Sequence, residues 1–199
     1  MSTRQPHQEQ TLVLLKPDAV QRSLVGEIIK RIEQTGLKLS AMKMVMPTEE
    51  QLLEHYNKDD DWYLRKGKNI INDLTESGRP VEKEAIEYGK DIIRTIIRYM
   101  VESPVVALVV EGNSAINVVT KITGTTEPTT ADVGTIRGDY TIDSYSHSTF
   151  EDRAVKNLIH CSDSVEEAQR EMKLWFNEDE IHNYVTAQER IMYEAIKER

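Results

Sequence analysis

Arg137 stands between glycines in Gly134-Thr135-Ile136-Arg137-Gly138. Glycine permits close backbone approach, and a guanidinium binds phosphate oxygens in pairs. This setting assigns Arg137 to phosphates; the alternative is an ion pair with a neighbour such as Asp139. Lys16 directly follows an apolar run, residues 11–15, and precedes Pro17-Asp18. A strand ending on a lysine and a rigid turn holds a cation at a sheet edge, within reach of a phosphate, although most lysines are simply surface residues. His160 lies in a short segment, residues 158–162, that begins apolar. A neutral imidazole nitrogen is a good nucleophile near neutral pH. A lone histidine in such a segment is nevertheless more often a core or edge residue. An in-line nucleophile and charge neutralisation are the main demands of phosphoryl transfer. The signatures G-x-x-x-x-G-K-[ST] and G-x-G-x-x-G are both absent, which disfavours a P-loop or Rossmann-type enzyme.

The apolar pattern predicts the elements that position these groups. Residues 11–15 read as a strand ending in a turn. Val25, Ile28, Ile29 and Ile32 recur at helical spacing, and Gly36 closes that helix. Residues 37–46 alternate apolar and polar, with one break, as a second strand. Thr48 and Gln51 form a capping box for another helix. The charged segment 57–99 contains two helix-like stretches, roughly 62–76 and 83–100, split by Ser77-Gly78-Arg79-Pro80. Residues 104–111 carry a run of Val, Ala and Leu suited to a strand buried on both faces. Asn113 caps a helix bearing Ala115, Ile116, Val118, Val119 and Ile122. Residues 124–157 read as a long loop system, and loops of that length are usually functional or disordered. A short strand at 158–162 follows, and then a helix capped by Ser164 and Glu167. The polar tail ends in an amphipathic helix. This order is α+β, and a split βαβ, ferredoxin-like sheet fits it.

The chain has 199 residues, 39% hydrophobic and 30% charged, which fits one soluble domain. A formal net charge of -9 argues against general affinity for nucleic acid or acidic membranes, and a local basic pocket is needed for any anionic substrate. No window approaches a membrane span, and residues 1–10 lack an apolar signal core. Cys161 is the single cysteine, so no internal disulfide forms. The expected location is cytoplasmic. Of the other histidines, His55 is expected to cap or flank the helix at Tyr56, and His7, His147 and His182 to be solvated.

Six phrases closely resemble the nucleoside diphosphate kinase family, in the family's order. They are Lys16-Pro17-Asp18-Ala19-Val20-Gln21-Arg22, Gly26-Glu27-Ile28-Ile29, His55-Tyr56, Ser103-Pro104-Val105-Val106-Ala107, Gly134-Thr135-Ile136-Arg137-Gly138-Asp139 and Asn157-Leu158-Ile159-His160-Cys161-Ser162-Asp163-Ser164. The resemblance spans about residues 11–176. It implies a ferredoxin-like core, Mg2+-bound nucleoside triphosphates, and ping-pong transfer of a terminal phosphoryl group to a nucleoside diphosphate through a phosphohistidine. By resemblance His160 is that nucleophile, and Glu171 bonds its other ring nitrogen and fixes the tautomer. Lys16 contacts the transferring phosphoryl and the ribose. Tyr56 donates to the terminal phosphate, Thr126 and Arg137 bind phosphates, and Asn157 bonds the sugar hydroxyl. Ser162 shares the His160 face if its segment is extended. Asp163 orders the site or helps with Mg2+ rather than acting as a base. The nucleotide phosphates carry the metal, so no dedicated protein cage is expected. Homo-oligomers, tetramers or hexamers, are expected. Compared with shorter members, the single domain of residues 1–199 looks enlarged by insertions at about 57–99 and 144–156.

Four positions depart from the family pattern. Thr120 replaces an arginine that contacts phosphate; Lys121 is adjacent, but neighbours on a helix point about 100° apart. A Pro-Phe-Phe phrase near the base is missing, which leaves Trp62 as either a stacking platform or a packing residue. Cys161 follows the histidine where a small residue is usual, placing a thiol beside the site. Val133 replaces a proline before Gly134. The competing reading is a degenerate nucleotide-binding or assembly module without kinase activity, with Thr120 as its mark.

Overall fold

The computed structural model describes residues 8–193, so His7 lies outside the described residues. Four strands form the sheet: β1 (Glu9–Leu15), β2 (Lys38–Val45), β3 (Val105–Gly112) and β4 (Ile159–Cys161). Their order is β2-β3-β1-β4, and every neighbouring pair is antiparallel. The strands β1 and β2 therefore run parallel with β3 between them, the split βαβ arrangement. Their crossover carries α1 (Pro17–Gln21) and α2 (Val25–Glu33). Central strands need apolar side chains on both faces. This is why β3 reads as an unbroken apolar run, with Val105 to Val110 all buried.

Alternation along β1 builds a core on each face of the sheet. Leu12 and Leu14 join one cluster with Leu52, Ile97, Met100, Met172 and Trp175. Val13 and Leu15 join the other with Ile28, Ile32, Val119 and Ile136. Register then decides which face each residue of β4 takes, because directly paired residues point the same way. His160 pairs with Leu14, and Cys161 pairs with Val13. The thiol therefore packs in the opposite core and does not sit beside the histidine, contrary to the sequence expectation.

The first core is roofed by α3 (Glu49–His55), α4 (Asp60–Glu76), α5 (Ala85–Met100) and α9 (Val165–Trp175). Both helices of the charged segment form close to the expected bounds, and α5 buries Ile93, Ile97, Tyr99 and Met100. They cross through two glycines. A Cβ on Gly67 would lie 1.6 Å from the Ala85 carbonyl oxygen, and one on Gly89 would lie 2.1 Å from that of Tyr63. Backbone cannot yield as a side chain can. Gly89→Ala is expected to cost about 2–3 kcal/mol, as overpacking does, and an unchanged denaturation midpoint would contradict this crossing.

The remaining helices are α6 (Ala115–Thr123), α7 (Ile136–Tyr140), α8 (Tyr145–Phe150) and α10 (Ala187–Met192). The expected loop 124–157 thus contains α7, α8 and a 3-10 turn at Pro128–Thr130. Three capping expectations need correction. Thr48 caps α3, but the Gln51 side chain donates to the Leu174 carbonyl instead of back to the cap, tying α3 to α9. Ser164 caps α9, while the Glu167 carboxylate accepts from Asp163 N–H and pairs with Lys58. Asn113 does not cap α6; Ser114 holds that position at φ +52° without a side-chain bond. His147 and His182 are exposed as expected.

Candidate active site

His160 is the middle residue of β4, and α9 lies over its face of the sheet. The Glu171 side chain is buried, and its Oε2 lies 3.1 Å from His160 Nε2. The Ser162 hydroxyl donates to the same oxygen at 2.6 Å, so the extended alternative for this segment holds. Burial pushes the Glu171 carboxyl up. The hydrogen bond and charge of His160 outweigh it, with help from His55 and Ser162, and bring the value down to about 2. An ionised acceptor fixes the proton on His160 Nε2. Nδ1 is left with a free lone pair on a side chain that is 21% exposed.

Two neighbours complete the wall behind the ring. His55, at the end of α3, is fully buried and lies edge-on to His160, with ring centroids 4.5 Å apart. Trp175 Nε1 donates to its Nδ1 at 3.3 Å. Burial, then the charge of His160, lowers His55 to about 2, so it stays neutral with its proton on Nε2. It ends α3 beside Tyr56, as the flanking alternative expects, and its burial is the new feature; apart from its place before Tyr56 nothing in the sequence distinguishes it. The Tyr56 ring is 6.1 Å from that of His160. The Tyr56 hydroxyl and His55 Nε2 are buried atoms without a hydrogen-bond partner. Burial, then the charge of Glu171, raises the Tyr56 hydroxyl, so it remains a donor without an acceptor. Buried donors of this kind cost free energy unless a ligand satisfies them.

A second group lies where the chain enters β4. Lys16 Nζ donates to Asn157 Oδ1 at 2.7 Å, and Asn157 Nδ2 donates to the Thr126 carbonyl at 2.8 Å. Arg137 is buried and donates to three carbonyls, those of Asn157, Gly124 and Ile159. A guanidinium has five N–H donors, so two remain for an anion. Asp139 pairs with Arg31 at 2.7 Å rather than with Arg137. Burial, and next the charge of Arg137, lowers Lys16 to about 8. Lys16, Thr126, Arg137 and Asn157 therefore form one linked set. Trp62 stands apart: it is half-buried in the first turn of α4, and among the described residues no hydrogen bond or ring contact joins it to His160. Thr120 and Lys121 are both exposed, and the Thr120 hydroxyl lies 4.0 Å from Cys161 Sγ.

Among the described residues, one cluster could ligate a metal: His55, His160 and Glu171. Mg2+ takes octahedral oxygen ligands. Two imidazoles and one carboxylate do not fit it.

An imidazole held in one tautomer, a buried donor without an acceptor and two cations are the kinds of groups that phosphoryl transfer requires. The family model for nucleoside diphosphate kinase matches residues 9–76 and 84–181. The chain belongs to the nucleoside diphosphate kinase family. A nucleoside diphosphate kinase from Pyrobaculum aerophilum is 44% identical over 178 residues, 87% of this chain and 97% of that protein. One from Pyrococcus abyssi is 38% identical, covering 91% and 92%. The crystal structure of an NDP kinase from Pyrobaculum aerophilum superposes with a TM-score of 0.84 at 41% identity, covering 88% of this chain and all of that one. A transition-state mimic of the Borrelia burgdorferi enzyme, with bound vanadate and ADP, gives 0.75 at 33% identity, covering 92% and 95%. The family match runs through both helices of the charged segment and breaks only at 77–83. No helix among the described residues is long and apolar enough to cross a membrane.

Proposed function

We propose that Nδ1 of His160 carries the phosphoryl group in a ping-pong exchange between nucleoside triphosphates and diphosphates. The observation that supports this is the Glu171 carboxylate on Nε2, which leaves Nδ1 as the unprotonated nitrogen. In the first half-reaction the Nδ1 lone pair forms the N–P bond. The bond from the terminal phosphorus to its bridging oxygen breaks, and its electrons leave on the diphosphate. The second half-reaction reverses this on another diphosphate. The imidazolium charge that develops is balanced by Glu171. Lys16 and the two spare Arg137 donors neutralise the phosphoryl oxygens, Tyr56 donates to the terminal phosphate, Thr126 binds phosphate and Asn157 bonds the sugar hydroxyl. Trp62 is the candidate platform for the base. The nucleotide phosphates would carry Mg2+, which would lessen their charge, while Lys16, Thr126 and Arg137 orient them.

Incubation with terminally labelled ATP and Mg2+, followed by addition of diphosphates of different bases, tests the exchange. Label is expected on each triphosphate product. A protein that binds nucleotide but never acquires label would support the degenerate module instead. The lowered Lys16 value gives a pH dependence. The cation is lost as pH rises through about 8, so kcat/KM should fall above that pH. Lys16→Arg should remove that limb, because arginine stays charged; a flat profile to pH 10 in the parent would contradict the role.

Residues 1–199 form one domain in this reading, with 57–99 and 144–156 as its enlargements. We also propose a homo-oligomer, tetramer or hexamer. The support is the outer edge of the sheet, where Met42 and Met44 are 60% exposed and Met46 is 52% exposed, an apolar edge of the kind that pairs with another chain. A monomer by light scattering at micromolar concentration would overturn it. A cytoplasmic location accords with the single, unpaired cysteine. Cell fractionation tests it.

A further inference from the structure

Four described non-glycine residues have positive φ, and of these only Leu158 is buried, at φ +67°. Across it the Ile159 N–H donates to the Asn157 carbonyl at 2.8 Å. A γ-turn with a positive-φ centre is rare and strained. This one falls between Asn157 and His160, so it sets the spacing of the two. Such a conformation persists only where its surroundings over-determine it.

The surroundings can be named. The Leu158 carbonyl accepts from Lys16 N–H at 2.8 Å. The Leu158 N–H donates to Asp18 Oδ2 at 3.1 Å. Asp18 is itself held: its Oδ1 accepts from the Tyr99 hydroxyl at 2.5 Å and from Ala19 N–H at 3.1 Å. The Tyr99 oxygen accepts from Asp18 N–H at 3.2 Å. Both side chains are buried. Burial, and then the Asp18 charge, raises the Tyr99 hydroxyl and keeps it a donor. Tyr99 lies in the last turn of α5, so the long helical pair is tied to the histidine strand.

We propose that Asp18 and Tyr99 are positioning residues of the phosphotransfer site, holding the Leu158 turn that places Asn157 and His160. The inference rests on His160 being the nucleophile. Neither residue needs to touch nucleotide; each acts through the turn.

Tyr99→Phe tests this with the loss of one oxygen and little change of shape. Expected are a fall in kcat of about 10-fold or more, as small misplacements produce, and a matching fall in the single-turnover rate of His160 phosphorylation. The Leu158 amide should also exchange its hydrogen about 10-fold faster, reporting local opening. Asp18→Asn keeps an oxygen for the Leu158 N–H and should retain more activity than Asp18→Ala. Tyr88→Phe is the control. Its hydroxyl accepts from Glu82 N–H elsewhere on the same helical pair, and its activity should match the parent. Tyr99→Phe with kcat within about twofold of the parent, or with unchanged Leu158 exchange, overturns the proposal. So does a loss of activity that follows a uniform rise in exchange, which would mark a general loss of fold. A parent protein that takes no label on His160 defeats the underlying reading instead, so the two failures are distinguishable.

Discussion

His160→Ala should take no label from terminally labelled ATP, while the parent acquires a label that is acid-labile and base-stable. Among the described residues there is no second imidazole able to substitute. Among the described residues His55 is the only other histidine at the site; it is fully buried and neutral, and its Nδ1 is occupied by Trp175. Turnover should fall by at least ~10^4-fold, as loss of a nucleophile costs where a covalent step is essential. The fold should persist at a cost of about 1–3 kcal/mol, because the buried Glu171 carboxylate loses its bond from His160 and keeps that from Ser162. Calorimetry would show this as a lowered Tm with the cooperative transition retained. Label on the variant equal to that on the parent would remove His160 from the mechanism.

Glu171→Ala is expected to have the second-largest effect, for a different reason. Glu171 Oε2 accepts from both His160 and Ser162. Without it the imidazole proton is free to move to Nδ1, which blocks the nucleophile. A lost orienting carboxylate behind an imidazole costs up to about 10^4-fold in kcat. Binding of nucleotide should change much less, since Lys16, Asn157 and Arg137 are anchored separately. Stability falls as well: two buried donors lose their acceptor, at about 1–3 kcal/mol each. The folded Glu171 value lies below its ordinary 4.5, at about 2. Its contribution is therefore present above pH 4.5 and is lost as pH falls toward 2. Acid unfolding of the parent should include this component, and the variant should lack it. A variant with parental kcat would contradict the tautomer argument.

The legible parts of this molecule were those set by local pattern. Unbroken apolar runs revealed β1 and β3, because a central strand requires them. The two helices at 60–76 and 85–100 were visible from their spacing and from Ser77-Gly78-Arg79-Pro80 between them. Arg137 stood out because of its glycines: Gly134 takes φ +91°, and a Cβ on Gly138 would lie 2.2 Å from the Asp132 carbonyl oxygen. Its partners were not legible, since three carbonyls from distant segments carry no side-chain signature. The role of His55 depends on Trp175, 120 residues away. Leu158 is the sharpest case. No propensity places a leucine at positive φ; long-range bonds from Lys16 and Asp18 do. The side taken by Cys161 depended on strand register, and adjacency in sequence misplaced it.

The central claim is that the phosphoryl group sits on one particular nitrogen. Phosphorus–nitrogen correlation by NMR, on phosphorylated protein carrying 15N-labelled histidine, reads that atom directly. The phosphorus should couple to Nδ1 of His160, with Nε2 still protonated and bonded to Glu171. Coupling to Nε2, the nitrogen that Glu171 holds, or to any other histidine, would contradict the account.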